Sequence, residues 1–176
     1  MAQSFLAIDF ETANYQSDSA CSVGLVRVDN FCIVEQTHCL IQPPYRNFVF
    51  TPIHGITWKQ VENAPLFDKV WDQIQPLFKD IDFLVAHNAS FDKRVLEACC
   101  KRFRIRKPSI AFQCTVKLAR QKLGIYPTQL PSVCNKLKIP LKHHDALSDA
   151  LACAQIAMRA LRLDEPSESK LLSSEI

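Results

Sequence analysis

Along the 176 residues, apolar positions run together, alternate, or recur at helical spacing in a definite order. Phe5-Leu6-Ala7-Ile8 is continuous and too short for a convincing helix, so residues 5–8 read as a buried strand. Residues 21–28 and 31–35 read as two further β-runs, with Asp29-Asn30 between them as a hairpin signal. A loop rich in proline and aromatics spans 43–58. From about Pro65, Val70, Trp71, Ile74, Leu77 and Phe78 recur at helical spacing, and Pro76 should kink or shorten that helix. Residues 82–86 form another short buried strand. A helix then starts near Ser90, with Phe91, Val95, Cys99 and Phe103 on one face. A fifth strand is predicted at 110–114. Shorter helices cover roughly 114–123 and 130–138, separated by Gly124 and Pro127, and a last helix runs from about 145 to 161. Hairpin-linked strands followed by alternating helices and strands predict an α/β fold, a mixed five-stranded sheet flanked by helices. Residues 1–162 are expected to form one domain, and 163–176 a polar, loosely ordered tail.

Composition narrows the function classes. At 48% hydrophobic content the chain is long and apolar enough for one sizeable core. No apolar run approaches a membrane span and the N-terminus lacks a signal-peptide pattern, so a cytoplasmic protein is expected. The eight cysteines include no C-x-x-C pair, which predicts reduced, structural thiols. Only Gly24, Gly55 and Gly124 are glycines, which excludes a glycine-rich dinucleotide turn and a P-loop. The net charge of +3 conceals an asymmetry. Residues 93–142 carry thirteen Lys and Arg against the single acid Glu97, while the remainder carries eight bases and seventeen acids. A basic half suits a polyanion such as nucleic acid, although the same charges also suit ordinary solvated helix faces.

Three places hold candidate chemistry. In the segment DFET, Asp9 and Glu11 occupy alternate positions of a strand and therefore share a face. Surface acids at a strand end would be the simpler explanation of that pair alone. Residues 87–93, HNASFDK, place four polar side chains where open α/β sheets hold ligands, at the carboxyl end of the strand 82–86. Asn88 or Ser90 could instead cap the helix, with Asp92 favouring its dipole. In HHDALSDALACAQIA, Asp149 stands in a helix that is small and apolar on almost every side. A buried carboxylate there is neutral, ion-paired or metal-bound. Asp9, Glu11, Asp92 and Asp149 cannot share a small site without cations. Oxygen donors select Mg²⁺ or Mn²⁺, and two such ions about 4 Å apart suit in-line attack of water on phosphorus. His144, with an ordinary pKa of about 6.5, could take the proton of that water.

These segments resemble the motifs of the DEDDh exonucleases, the DnaQ-like family that includes the proofreading ε subunit of bacterial replicative polymerase. DFET resembles the first motif, AHNASFD the second and HHDALSDA the third, with His144 five positions before Asp149. A tyrosine four before the last acid would mark the sister group, and that position is Asp145. The likeness runs from about Phe5 to Leu161 and includes ACSVGLVRV and PIHGIT. It implies an RNase H-like fold and stepwise 3′→5′ removal of nucleoside monophosphates.

By the same resemblance, Asp9, Glu11 and Asp149 would hold a first metal. Asp9 would also touch a second, with Asp92 acting on it directly or through water. His144 would be the general base and His143 a neighbour without a chemical part. The backbone around Thr12 would meet the terminal 3′-hydroxyl, and His54, Ile56, Asn88 and Phe91 would line the terminal nucleotide's pocket. Core packing explains Phe91 equally well, and helix capping could account for His87. Ser22-Val23-Gly24 stands where ε-like chains often carry Glu-x-Gly, and 163–176 shows no glutamine-plus-aromatic clamp-docking peptide. A free-standing DNA exonuclease acting on single-stranded 3′ ends with two Mg²⁺ or Mn²⁺ ions is therefore expected. An RNA-trimming exoribonuclease or oligoribonuclease is the alternative. A catalytically inactive nucleic-acid-binding module would show a broken acid set, and this one is complete.

Overall fold

The structure is a computed structural model that describes residues 4–163. The predicted tail, beyond Leu163, lies outside the described residues. Strands β1 (Ser4–Thr12), β2 (Ala20–Asp29) and β3 (Cys32–Leu40) form an antiparallel meander, and β4 (Phe83–Ala86) and β5 (Phe112–Cys114) join in parallel. The order β3-β2-β1-β4-β5 is the mixed five-stranded sheet that the hydrophobic pattern predicts. β1 outlasts its apolar run because β2 pairs with it as far as Thr12, so Asp9 and Glu11 belong to the sheet itself. β4 pairs with β1 only from Phe5 to Ala7, where Phe5 and Phe83 stack at 5.3 Å. Beyond Ala7 no strand among the described residues lies beside the β4-side edge of β1.

Several boundaries differ from the sequence expectation. The β2–β3 turn is Asn30-Phe31, one residue later than Asp29-Asn30, because Asp29 pairs with Cys32. Both turn residues have positive φ, 52° and 59°, the two-residue geometry that matches strand twist. Arg162 covers the Phe31 ring at 5.4 Å. The 43–58 loop contains one single-turn helix, α1 (Thr51–His54), and a second, α2 (Trp58–Val61), begins at its end. Pro52 suits the start of α1 and Gly55, at φ 76°, ends it. Thr57 and Gln60 form a capping box for α2. The last strand is shorter than 110–114, since only residues 112–114 pair with β4.

Helix α3 (Phe67–Ile74) buries Phe67, Val70, Trp71 and Ile74 on one stripe, and Pro76 turns the chain into a 3₁₀ segment over Gln75–Phe78. Then come α4 (Ser90–Arg102), α5 (Thr115–Gln121), α6 (Leu130–Leu137) and α7 (Ala146–Arg162). Leu6, Ile8 and Phe10 of β1 face α3 and α4. Phe5 and Ala7, on the other face, meet Ala150, Cys153, Ala154 and Ala157 of α7. The outer side of α7 places Ala152 and Ile156 against Leu130, Val133 and Cys134 of α6. A helix enclosed from both sides has room only for small residues, which explains its run of alanines. Among the described residues no helix is long and apolar enough to cross a membrane, and all eight cysteines are free.

Candidate active site

Asp9 and Glu11 project from the overhanging end of β1 toward the α7 side of the sheet, continuing the Phe5–Ala7 face that α7 covers. Asp149, on the first turn of α7 and only 3% exposed, meets them there. One oxygen from each of the three lies within 4.8 Å of the other two. Asp149 Oδ2 accepts hydrogen bonds from the His144 backbone N–H and from His143 Nδ1, both at 3.0 Å. Its Oδ1 is buried with no hydrogen-bond partner among the described residues. A buried, orphaned carboxylate oxygen is costly unless something outside the chain completes it. That oxygen, beside two more carboxylates, fits a divalent cation.

Asp92 reaches the site from the opposite layer. It is 1% exposed, and its Oδ1 accepts the Phe10 N–H at 3.0 Å, a backbone donor left without a strand partner where β4 ends. Its carboxylate thus ties α4 to β1 and stands outside the tight trio. The capping reading of this segment fails. Ala89 is the N-cap without a side-chain bond, Asn88 takes φ 59°, and Asn88 Oδ1 accepts from Ser90 Oγ at 3.3 Å. His87 does not cap the helix either, because its Nδ1 pairs with Thr115 Oγ1 at 2.8 Å.

A cavity of about 280 Å³ opens over the trio, lined by Asp9, Glu11, Thr12, His54, His87, Phe91, Leu130, His143, His144 and Asp149, together with Phe10, Phe50 and Ile53. Of the predicted pocket residues, Thr12, His54 and Phe91 line it; Ile56 and Asn88 do not. The Ile56 backbone turns toward α1, donating its N–H to His54 Nδ1 and accepting from Thr51 Oγ1, and Asn88 is exposed at the bend before α4. His54 Nε2 in turn bonds the Thr12 carbonyl at 3.1 Å. Phe50, Ile53 and Leu130 join the lining without a sequence signal that named them, and His143, expected only as a neighbour without a chemical part, lines it too. Tyr15, 82% exposed, stands edge-on to Phe50 at 4.8 Å on the cavity rim. The doublet of histidines and the aromatic just past DFET were the available signals.

Burial raises the acids' pKa values, and neighbouring carboxylates add to it at Asp9, Glu11 and Asp92. Asp9 is pushed far up by desolvation, then by Asp92, Asp149 and Glu11. Glu11 is raised to about 7, by burial first and then Asp149. Burial likewise lifts Asp92 to about 8, and lifts Asp149 despite its two hydrogen bonds. Burial and His143 lower His144, which keeps its ring neutral near pH 7.

An acid whose folded pKa exceeds its unfolded value holds its proton longer in the folded state, so stability falls as pH rises between the two values. His87, lowered to about 4, and His54 and His144, also lowered mainly by burial, act in the opposite sense, chiefly around and below their ordinary 6.5. Toward pH 8 the raised acids outweigh them and set the sign. The melting temperature of the metal-free protein should fall toward pH 8, and added Mg²⁺ should raise it more at pH 8 than at pH 6.5. A flat or rising curve without metal would contradict these shifts.

The family described as "RNase_T: Exonuclease" matches residues 6–157. This chain belongs to that exonuclease family. The RNase_T match bears out the DEDDh, DnaQ-like resemblance of the three motifs. Among the family's members, the chain is 32% identical to a PolC-type DNA polymerase III of Thermotoga maritima, over 90% of this chain and 12% of that protein. It is 28% identical to the 3′-5′ exonuclease DinG of Staphylococcus epidermidis, over 98% of this chain and 20% of that one. The chain thus spans a small fraction of the length of these relatives. Its fold is similar to that of exonuclease X in complex with 5′ overhanging duplex DNA (TM-score 0.73, 24% identity, covering 94% and 95% of the two chains). It is also similar to the nuclease domain of 3′hExo, a DEDDh family member, bound to rAMP (TM-score 0.75, 21% identity, covering 92% of each chain). These likenesses place the RNase_T domain in the RNase H-like nuclease fold.

Proposed function

We propose that this domain is a metal-dependent 3′→5′ exonuclease that removes nucleoside 5′-monophosphates from single-stranded DNA ends. The observation carrying this reading is the buried Asp149 Oδ1, without a partner among the described residues, beside Asp9 and Glu11 in one cavity with the His144 ring. Asp9, Glu11 and Asp149 would hold one cation. Asp9 would share a second with Asp92, whose other oxygen is committed to Phe10 N–H. Bound Mg²⁺ or Mn²⁺ supplies an activated water and neutralises charge on the attacking and leaving oxygens. His144 accepts the proton of the attacking water. The P–O3′ bond breaks, the mononucleotide leaves, and the shortened strand keeps a new 3′-hydroxyl. Thr12 and His54 at the cavity wall position the terminal sugar, and Phe91, Phe50 and Ile53 pack against its base.

A 3′- versus 5′-labelled degradation ladder in Mg²⁺ tests this directly. Stepwise loss from the 3′ end, abolished by EDTA, is the expected result; hydrolysis that persists in EDTA overturns it. Matched DNA and RNA strands in the same assay decide the sugar, with faster DNA turnover expected. A structural neighbour's bound rAMP keeps RNA as the second arm.

The strand should cross the rim where Tyr15 and Phe50 present aromatic faces. That rim is built in: Val49 and Phe50 N–H groups both donate to the Ala13 carbonyl, and Asn14 Nδ2 donates to the Asn47 carbonyl at 3.0 Å. Loss of one stacked base costs about 1–3 kcal/mol. Tyr15→Ala should raise KM for an oligonucleotide about 10-fold while leaving hydrolysis of a p-nitrophenyl mononucleotide ester unaltered. Equal effects on both substrates would remove Tyr15 from the strand's path.

A further inference from the structure

His143 and His144 are consecutive, yet their rings lie on the same side. Neighbours in an extended segment point to opposite faces, but His144 takes φ 64°, and this left-handed turn folds the two imidazoles together. The rings stack at 3.8 Å, tilted by 24°. The His144 N–H and His143 Nδ1 both bond Asp149 Oδ2, which fixes the doublet over the first turn of α7. Non-glycine residues in the left-handed region persist only where their surroundings hold them, and they cluster at functional sites. A general base accounts for one of these rings and leaves the other unexplained.

One nitrogen from each histidine and one Asp149 oxygen lie within 4.8 Å of one another, a second ligand trio that shares Asp149 with the Asp9–Glu11 cluster. The donor chemistry of the two trios differs. Three carboxylates suit Mg²⁺, Mn²⁺ or Ca²⁺, whereas imidazole nitrogens favour zinc, copper or nickel. Two histidines and one carboxylate, with a fourth position open to the cavity, form a familiar Zn²⁺ donor set. Asp149 is 3% exposed, and its second oxygen has no partner in the described residues, so the shared ligand is already dehydrated.

We propose that His143, His144 and Asp149 form a nitrogen-rich site for Zn²⁺ or a similar first-row ion, and that filling it switches the nuclease off. An ion there engages the His144 imidazole that would take the water's proton, and it competes for Asp149 with the oxygen site. His143 is the residue that makes the site, because without it only one imidazole remains. Binding stands on the geometry alone, while the inhibitory consequence rests on the exonuclease reading above.

Calorimetric titration with Zn²⁺ in excess Mg²⁺ tests the binding without turnover. Visible d–d bands of Co²⁺ report nitrogen donors in the same variants. Wild-type protein should bind one Zn²⁺ under these conditions. His143→Asn, which keeps a donor for Asp149 but removes the imidazole, should weaken Zn²⁺ about 10-fold or more. His144→Asn should do the same. The Zn²⁺ concentration that halves the rate of His143→Asn, relative to its own uninhibited rate, should rise by the same factor while its Mg²⁺ requirement does not move. A brace for Asp149 would instead weaken both metals together. Equal Zn²⁺ affinity in wild type and both histidine variants overturns the proposal, as does Zn²⁺ binding lost only in Asp9→Asn and Glu11→Gln. If no nucleic acid is cleaved yet Zn²⁺ follows the histidines, the exonuclease reading fails and this site stands.

Discussion

Asp149→Asn should lower the exonuclease rate on the order of 10³-fold or more while the metal-free protein melts at a higher temperature than wild type. The two effects have one origin. Asp149 is buried beside Asp9 and Glu11, and burial already raises its pKa, so in the absence of metal the folded state works against its charge. An asparagine side chain is close in shape. Its oxygen can still accept the His144 N–H and face His143, so the hydrogen bonds that hold the loop survive. What disappears is the anionic oxygen that no group among the described residues completes. Mg²⁺ should consequently raise the melting temperature of Asp149→Asn less than that of wild type. Asp149→Ala separates the contributions, because it also strands two donors at a cost of about 1–3 kcal/mol and should melt lower. If Asp149→Asn retained wild-type turnover, the carboxylate trio would have no part in the chemistry. A site that costs stability to assemble is the usual signature of function placed above folding.

Much of this was legible in the chain. The apolar runs and helical stripes gave the strands, the helices and the mixed sheet, because burial dictates those periods. The three acid segments also converged as their placement at strand and helix ends implied, since parallel strands in α/β sheets end at one rim. The family resemblance sets Asp92 apart from the Asp9, Glu11 and Asp149 trio, but residue pattern alone gives no physical reason for it. Asp92 and Asp149 look alike in their motifs, yet Asp92 comes from the layer across the sheet and spends an oxygen on Phe10, a donor exposed only because β4 stops at Ala86. Strand length is a tertiary property, and no local pattern near Asp92 encodes it. The resemblance names His143 only as a neighbour of the base, for a similar reason. Only a left-handed φ at His144 brings the two rings together, and histidine can take either backbone state. Ile56, expected in the pocket, instead lines an adjoining pocket that shares His54, His143 and His144 with it, and Asn88 lies exposed at the bend before α4.

Gly24 carries the other large effect, and its role is steric. It pairs with Asp9 across β1 and β2, and the first turn of α7 lies directly over it. A Cβ at residue 24 would sit 2.1 Å from the Ala146 carbonyl oxygen and 2.5 Å from the Leu147 nitrogen, and both are backbone atoms that no rotamer can move. Gly24→Ala must therefore push the start of α7 off the sheet, and Asp149 moves with it, away from Asp9 and Glu11. Overpacking of this kind costs about 1–3 kcal/mol, which for a chain of this size lowers the melting temperature by roughly 5–10 °C. A displacement near 1 Å at a reacting centre can cost about 10²-fold in rate, so kcat should fall by that order in protein that is still folded. Gly124→Ala is the matching control. Gly124 has φ 63° and open space around its position, so an added methyl there strains only the backbone, by about 1–2 kcal/mol, and leaves α7 where it is. Gly124→Ala should melt lower and cut at the wild-type rate, while Gly24→Ala should lose both. Equal rates in the two variants would mean that the close contact between α7 and β2 does not position Asp149.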